Sequence, residues 1–424
     1  MDGLKKTGVH PRRVCSLIRC ASVIVFGLLI GLTRAQGPTP LLAVGHPVQW
    51  WFVFKLNAGT FPGCENHAVR ACPFGGDVQP YTSFSQQYAF SSNEEPTLKP
   101  GAGCTGDTTT DPVGVTFDEI YSGRFHYVVW NDQFYQDPEL KACSGDSCGA
   151  PWGHSKGMLV WNDAGEGMVL QVTTPSWPGA GNRAHPRKNN DNTLGCVLNN
   201  NVKFSQHFFA LSLTHEDLVD VLSALSNASV VTDPSTLQIV STGGPDDVRA
   251  LVAVLGEKSD STTPTIKKLS SGVRLISKPS GLHVPPWQLV SSLLDGVPVR
   301  TATWWMRPAI PTTKAGSEIQ CWDSRLAAPA AVEIATTGEW NGRSIGLQAG
   351  PSANGNHAKI GVSTDGTSDL AIFGDMNQQG AIVGNAKACA SSQNGRGGLF
   401  YVVTDAKLSA SVAALIHGDT APSQ

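Results

Sequence analysis

Several familiar catalytic signatures fail in the 424-residue chain: there is no Walker loop and no His-Glu-x-x-His, and no serine reads as a nucleophile elbow between a strand and a helix. A P-loop phosphotransferase, a zincin protease and an α/β-hydrolase are therefore poor readings, because each depends on its motif to cradle phosphate, ligate zinc or expose a nucleophile. No Cys-x-x-Cys pair is present, which removes the commonest zinc-site spacing. A spanning helix needs about twenty apolar residues; the run ASVIVFGLLIGL has only twelve, and no later segment does better. Basic charge is also scarce, with 31 Lys and Arg against 34 Asp and Glu, a net charge of −3. That is the wrong sign for a protein that meets a polyanion at neutral pH.

The apolar run itself follows Lys5, Lys6, Arg12, Arg13 and Arg19 and precedes Thr33-Arg34-Ala35 and Gln36. This layout predicts a secretory signal over residues 1–35, cut after Ala35, with an uncleaved anchor as the rival. Six of the basic residues but only Asp2 of the acidic ones fall there, so the mature balance is 25 minus 33, or −8. Ten histidines remain, and their protonation near pH 5 would cancel or reverse the deficit. Acid conditions would make the chain more tolerant of nucleic acid.

Eight cysteines follow the signal: Cys64, Cys72, Cys104, Cys143, Cys148, Cys196, Cys321 and Cys389. An even count behind a secretory signal predicts disulfides, with Cys143–Cys148 and Cys321–Cys389 as the pairs expected. Five of the eight lie between Cys64 and Cys148, in a Gly-, Pro- and Asp-rich stretch that reads as a cross-linked, loop-rich excursion. Asn227-Ala228-Ser229 is a glycosylation sequon on the same route.

Runs rich in Val, Ile, Phe and Trp recur and read as strands: VQWWFVFKL, HYVVWND, KGMLVWND and GMVLQVT early, then GVRLISK, VRTATWWM, AVEIAT, KIGVST, LAIFGDM and LFYVVTD. Segments beginning at Glu216, Pro245, Pro285 and Ala406 have helical periodicity. Strands interleaved with helices predict an α/β or α+β chain with a sizeable mixed sheet.

Two short stretches share one pattern. GHSKGMLVWN places His154 and Lys156 two residues apart at the mouth of a strand, and NHAKIGVS does the same with His357 and Lys359. In extended backbone such residues point the same way. Each pair is followed, after a turn, by a second strand, a faint internal symmetry. A phosphodiester needs an in-line nucleophile, a proton for the leaving oxygen and positive charge on its equatorial oxygens. One histidine and one lysine from each half could supply all of these without a metal or other cofactor. The pattern is equally compatible with solvated strand ends. The basic stretch Asn182–Lys188 reads as an exposed loop, Trp50, Trp51, Trp304 and Trp305 read as core, and the histidines outside the two pairs, His207 included, read as structural.

GHSKGMLVWN with LQVTTPSWPG resembles the first active-site region of the deoxyribonuclease II family, and NHAKIGVS with FGDMNQQG and NGRGG resembles the second. GHPVQWWFVFKL, YVVWNDQ, NTLGCVL, FSQHF and QCWDSR are similar to further family segments in the family's order. The resemblance implies a phospholipase D-like fold of two pseudo-symmetric α/β halves that share one active site at their interface. The expected halves are residues 36–225, with the first His-x-Lys pair and the cysteine-rich insertion, and 226–424, with the second pair and GDMN. It further implies metal-independent, acid cleavage of double-stranded DNA to 3′-phosphate ends. His154 and His357 would divide the roles of nucleophile and general acid, with His154 read as the nucleophile and a phosphohistidine as intermediate. Lys156 and Lys359 would hold the phosphate oxygens, and Asp375 and Asn377 would either orient the site or shape the turn. The sequence departs from the family at Val172, where a histidine is expected, at Ile360, where tryptophan is common, and in its cysteine pattern. The implied location is secreted or lysosomal, and a homodimer is among the possible states. Two alternatives stand beside this reading: a DNA-binding or toxin-like protein with little turnover, and a phosphodiesterase acting on RNA or phospholipid.

Overall fold

The computed structural model describes residues 37–61, 87–106, 109–143, 145–175, 177–188, 203–350 and 352–423. The segment 1–35, expected to be a signal, and Cys64, Cys72 and Cys196 lie outside the described residues.

Two antiparallel hairpins, β1 (Leu41–Ala43) with β2 (His46–Pro47) and β15 (Thr337–Trp340) with β16 (Arg343–Gly346), flank two large sheets. The first sheet is built from β3 (Trp50–Lys55), β4 (Tyr88–Ser92), β5 (Lys99–Pro100), β6 (His126–Asn131), β7 (Lys156–Trp161), β8 (Gly167–Val172), β9 (Gln206–Leu213) and β10 (Val240–Ser241). Its strand order is β10-β6-β7-β8-β9-β3-β4-β5. The second contains β11 (Thr265–Lys268), β12 (Arg274–Lys278), β13 (Val299–Ala302), β14 (Val332–Ile334), β17 (Ile360–Ser363), β18 (Leu370–Gly374) and β19 (Gly398–Thr404). Its order, β11-β12-β19-β18-β17-β13-β14, matches the first sheet's order from β4 back to β10, with β5 left without a counterpart. Thus β7 corresponds to β17, β8 to β18, β9 to β19 and β3 to β12. The correspondence breaks at the edge, where β10 runs antiparallel to β6 but β14 runs parallel to β13. The edge strand β10 lies beyond residue 226, the expected boundary between halves, yet it pairs in the first sheet.

The central strands β3, β7, β8 and β9 are almost wholly buried, which explains why they read as continuous apolar runs rather than alternating ones. The sheets meet face to face through aromatic side chains. Phe52 stacks on Phe373 at 4.3 Å, and Phe209 lies 4.8 Å from Phe373 and 5.5 Å from Tyr401. Offset aromatic contacts of this kind add specificity to the area they bury.

Helices form where periodicity placed them: α2 (His215–Asn227), α3 (Asp246–Ala253), α4 (Pro286–Leu293) and α6 (Ala406–Leu415). Thr214 and Asp217 make a reciprocal capping box at the start of α2. Two helices were not anticipated, α1 (Pro112–Tyr121) and the single turn α5 (Ala386–Cys389). The first adds an ordered helix to the stretch expected to be loop-rich. Asp111 caps it by accepting from the Val113 and Gly114 amides, and Phe117 packs on Trp177 at 5.1 Å. Both expected disulfides are present, Cys143–Cys148 and Cys321–Cys389, and Cys104 is also disulfide-bonded. Asn227, at the last position of α2, donates to Thr263 O and Ser277 Oγ, and Ser229 is buried, so the sequon is engaged in the fold. Among the described residues no helix is long and apolar enough to cross a membrane.

Candidate active site

Lys156 opens β7, and His154 precedes it by two residues; Lys359 and His357 stand in the same relation to β17. Each histidine is fastened by the opposite sheet's chain. The His154 amide donates to Gly397 O at 2.8 Å, just before β19, and the His357 amide donates to Ser205 O at 2.8 Å, just before β9. Since β9 and β19 are corresponding strands, the two tethers are related by the internal symmetry. They bring the two pairs to one place: His154 and Lys156 both act electrostatically on His357, and Lys359 acts on His154.

The rings are held differently. His154 is buried, and its Nδ1 lies 2.7 Å from the carbonyl oxygen of Asp375. A carbonyl only accepts, so Nδ1 carries the proton and Nε2 keeps its lone pair. His357 is partly exposed, stacked on Phe204 with centroids 5.0 Å apart and edge-on to Trp304 at 4.3 Å. Phe204 and Trp304 thus form a wall behind the imidazole. Trp304 and Trp305 are only half-buried, which corrects their reading as core; Trp50 and Trp51 are core.

Lys156 pairs with Asp132 Oδ1 at 2.5 Å, and Asp132 Oδ2 receives Arg396 at 2.8 Å. Arg396 also donates to the Trp152 and Gly153 carbonyls, which fixes the chain entering the first pair. The Lys359 ammonium donates to His357 O, and its amide donates to His207 Nδ1 at 3.1 Å. His207 Nε2 faces Gln171 Oε1 at 3.4 Å, and Gln171 donates to Asp375 Oδ1 at 3.0 Å. The second carboxylate oxygen of Asp375 accepts from the Leu399 amide at 2.9 Å. Asn377 donates to Gln379, and its Oδ1 is buried without a hydrogen-bond partner among the described residues. Asp132, Arg396, Gln171 and His207 were not singled out in the sequence, because each meets the site only through neighbouring strands.

The electrostatics follow from burial. It pushes the His154 imidazole well below its ordinary value; Asp132 opposes that, and Lys156, Arg396 and Lys359 reinforce it. His357 is depressed by burial and then by Lys359, Lys156 and His154. Burial also lowers Lys359 and Lys156. Burial alone would raise the Asp132 carboxyl, but Lys156 and Arg396 hold it far below the usual range. Asp375 is pushed up to about 7 by burial. In acid the site therefore sets three cations, Lys156, Lys359 and Arg396, against one carboxylate, and invites an anion.

Other features are peripheral. A groove of about 800 Å³ lined by Trp50, Arg274, Asp295 and Asp405 lies at the opposite ends of the same strands, and its volume carries no catalytic grouping. Gly-x-Ser-x-Gly does occur as a bare pattern, at 153–157 and 342–346, yet neither serine stands on a strand-to-helix turn. Ser155 instead accepts from the Trp130 indole at 2.8 Å, and Ser344 lies in β16. In the basic loop at 182–188, Arg187 is buried beside Asp137 rather than exposed. Val172 is buried between β7 and β9. Among the described residues no set of three His, Cys, Asp or Glu side chains converges as a metal site.

The family model described as Deoxyribonuclease II matches residues 41–233, the segment that carries the first His-x-Lys pair. Among curated proteins no sequence matches the chain. The mixed α/β architecture is the phospholipase D-like one that goes with that family.

Proposed function

We propose that this chain, whose residues 41–233 match the deoxyribonuclease II family model, is an acid-active, metal-independent endodeoxyribonuclease whose site is shared by its two sheets. The observation that carries this reading is the reciprocal pair of tethers, His154 to Gly397 and His357 to Ser205, which support one site built from both His-x-Lys pairs.

His154 Nε2 attacks the phosphorus in line, and the bond to the 5′ oxygen breaks as the His357 imidazolium gives that oxygen its proton. The product of this step is a phosphohistidine that holds the upstream fragment through its 3′ oxygen, while the downstream fragment leaves with a 5′ hydroxyl. Neutral His357 then takes a proton from water, the water oxygen attacks phosphorus, and the N–P bond breaks to leave a 3′-phosphate and free His154. Lys156 and Lys359 hold the equatorial oxygens throughout. Asp132 and Arg396 keep Lys156 in place, and Gln171 and His207 do the same for Asp375 and Lys359. Both imidazoles have depressed proton affinity. His154 therefore stays a nucleophile in weak acid, while His357 gains the proton it must donate only as the pH falls, so the rate rises toward acid. The disulfides and the leader at 1–35 support delivery through the secretory route to an acidic or extracellular compartment.

Plasmid nicking at pH 5 in EDTA tests the reading. Wild-type protein is expected to nick, and His154→Ala and His357→Ala are each expected to lose about a thousandfold. Full activity in either variant, or activity that EDTA abolishes, would overturn it. Retarded but uncut plasmid would point to the binding protein instead.

A further inference from the structure

Two lysines that belong to neither His-x-Lys pair are fully buried at matching places. Lys55 is the last residue of β3 and Lys278 the last of β12, and these strands correspond. Lys55 stands opposite Gln206, the first residue of β9, and Lys278 opposite Gly398, the first of β19. Each ammonium reaches back two residues along that neighbour. Lys55 Nζ donates to Phe204 O at 2.6 Å, and Lys278 Nζ donates to Arg396 O at 2.7 Å. Lys278 also bonds Asn394 O at 2.8 Å and Leu282 O at 2.7 Å, and Lys55 also bonds Leu56 O at 3.3 Å.

The carbonyls one residue further on are the tethers: Ser205 O holds His357 and Gly397 O holds His154. Phe204 also stacks its ring on His357, and Arg396 anchors Asp132 and hence Lys156. A buried ammonium surrounded by main-chain oxygens is costly to desolvate, and methionine would cover the same apolar volume. Recurrence of so costly a group at both symmetry-related positions calls for a role that packing does not supply.

We propose that Lys55 and Lys278 are positioning residues of the nuclease site, and that each acts across the symmetry: Lys55 sets His357 through Phe204–Ser205, and Lys278 sets His154 through Arg396–Gly397. Lys55 thus serves the histidine of the other sheet, although its own sheet carries β7 and the first pair. Lys55 holds its strand-entry segment at Phe204, beside the Ser205–Asn356 bridge, and Lys278 holds its own at Asn394 and Arg396; the histidine amide takes its place from that segment. This inference rests on the proposed catalytic roles of the two histidines, but its structural core does not.

The test has two arms. In the first, amide exchange and imidazole chemical shifts are followed in Lys55→Met and Lys278→Met. Lys55→Met is expected to speed exchange of the His357 amide and shift its ring signals while leaving His154 near its native values, and Lys278→Met is expected to do the reverse. In the second, kinetics on plasmid at pH 5 are expected to show kcat down about ten- to a hundredfold with KM within about twofold. Lys→Gln, which keeps a donor on a shorter stem, replaces methionine at either position that fails to fold, with a smaller change in the same crossed sense. Equal disturbance of both histidines, or disturbance of the same-sheet histidine alone, would overturn the proposal. A wild-type protein without nuclease activity would remove the catalytic reading while leaving the crossed pattern to be judged by the first arm.

Discussion

The Nδ1 atom of His154 stands 2.7 Å from the main-chain oxygen of Asp375, a hydrogen bond between the lead-in to β7 and the exit of β18. It decides the tautomer of the imidazole and, on the proposed mechanism, the division of labour. With Nδ1 protonated, Nε2 of His154 is the atom free to attack. In His357→Asn the first step should still run slowly while the second lacks its base. Rapid quench of that variant with radiolabelled DNA is expected to trap label on His154, and His154→Asn is expected to trap none. Label on neither variant, or on His154→Asn, would reverse the assignment.

Asp375 supplies a pH signature. Its folded value is pushed up to about 7, above the unfolded 3.8, because burial disfavours the carboxylate. The native state therefore binds more protons between those values. Stability from this group is fully present below about pH 4 and is lost as the pH rises through 7. Asp375→Asn, which stays neutral, is expected to flatten the fall of Tm between pH 4 and 7 and to keep activity at pH 5 within about tenfold of wild type, the order expected when charge is unchanged but one hydrogen bond is mismatched. Thermal melts across that range check it, and an unchanged slope would contradict it.

Asp132 lies between Lys156 and Arg396, all three buried. Removing one member of a buried pair leaves an uncompensated charge, which costs about 3–5 kcal/mol. Asp132→Asn and Arg396→Gln are each expected to lose about that much in urea unfolding followed by tryptophan fluorescence. The first should also lower Lys156 further, since its carboxylate partner is gone, and move the alkaline limb of the rate profile toward acid. A variant as stable as wild type would show the triad to be ornamental.

His207 accepts the Lys359 amide on Nδ1, so it must be neutral there, as burial and the nearby Lys359 charge both favour. His207→Phe keeps the ring volume and orphans that amide. The expected cost is about 1–3 kcal/mol of stability, with kcat falling more than KM rises. Melting and steady-state kinetics decide it, and a rise confined to KM would place His207 in binding instead.

Much of the fold was legible because the strands of both sheets are buried and Val-, Phe- and Trp-rich, and because α2, α4 and α6 carry clear apolar stripes. Local spacing also set His154 beside Lys156 and His357 beside Lys359, whereas the Cys143–Cys148 and Cys321–Cys389 disulfides were guessed from an even cysteine count and then found in the structure. What spacing could not reveal was partnership across the sheet. Asp132 meets Lys156 because β6 pairs with β7, and it meets Arg396 only because β19 arrives from 264 residues away. His207 looked ordinary for the same reason. Helix α1 was hidden by the glycines and cysteines around it, and its signal was the cap Asp111-Pro112 that precedes an apolar stripe. Trp304 resembled core because VRTATWWM reads as one strand, but β13 stops at Ala302 and the chain then turns along the wall of His357.

The exchange of tethers at Gly397 and Ser205 means that neither sheet owns a finished histidine. A fragment cut between β10 and β11 could keep its strands and still present an imidazole with no fixed heading. Any loosening of one seam would silence both reagents together, so heating or partial proteolysis should extinguish turnover in a single step, ahead of any loss of strand content.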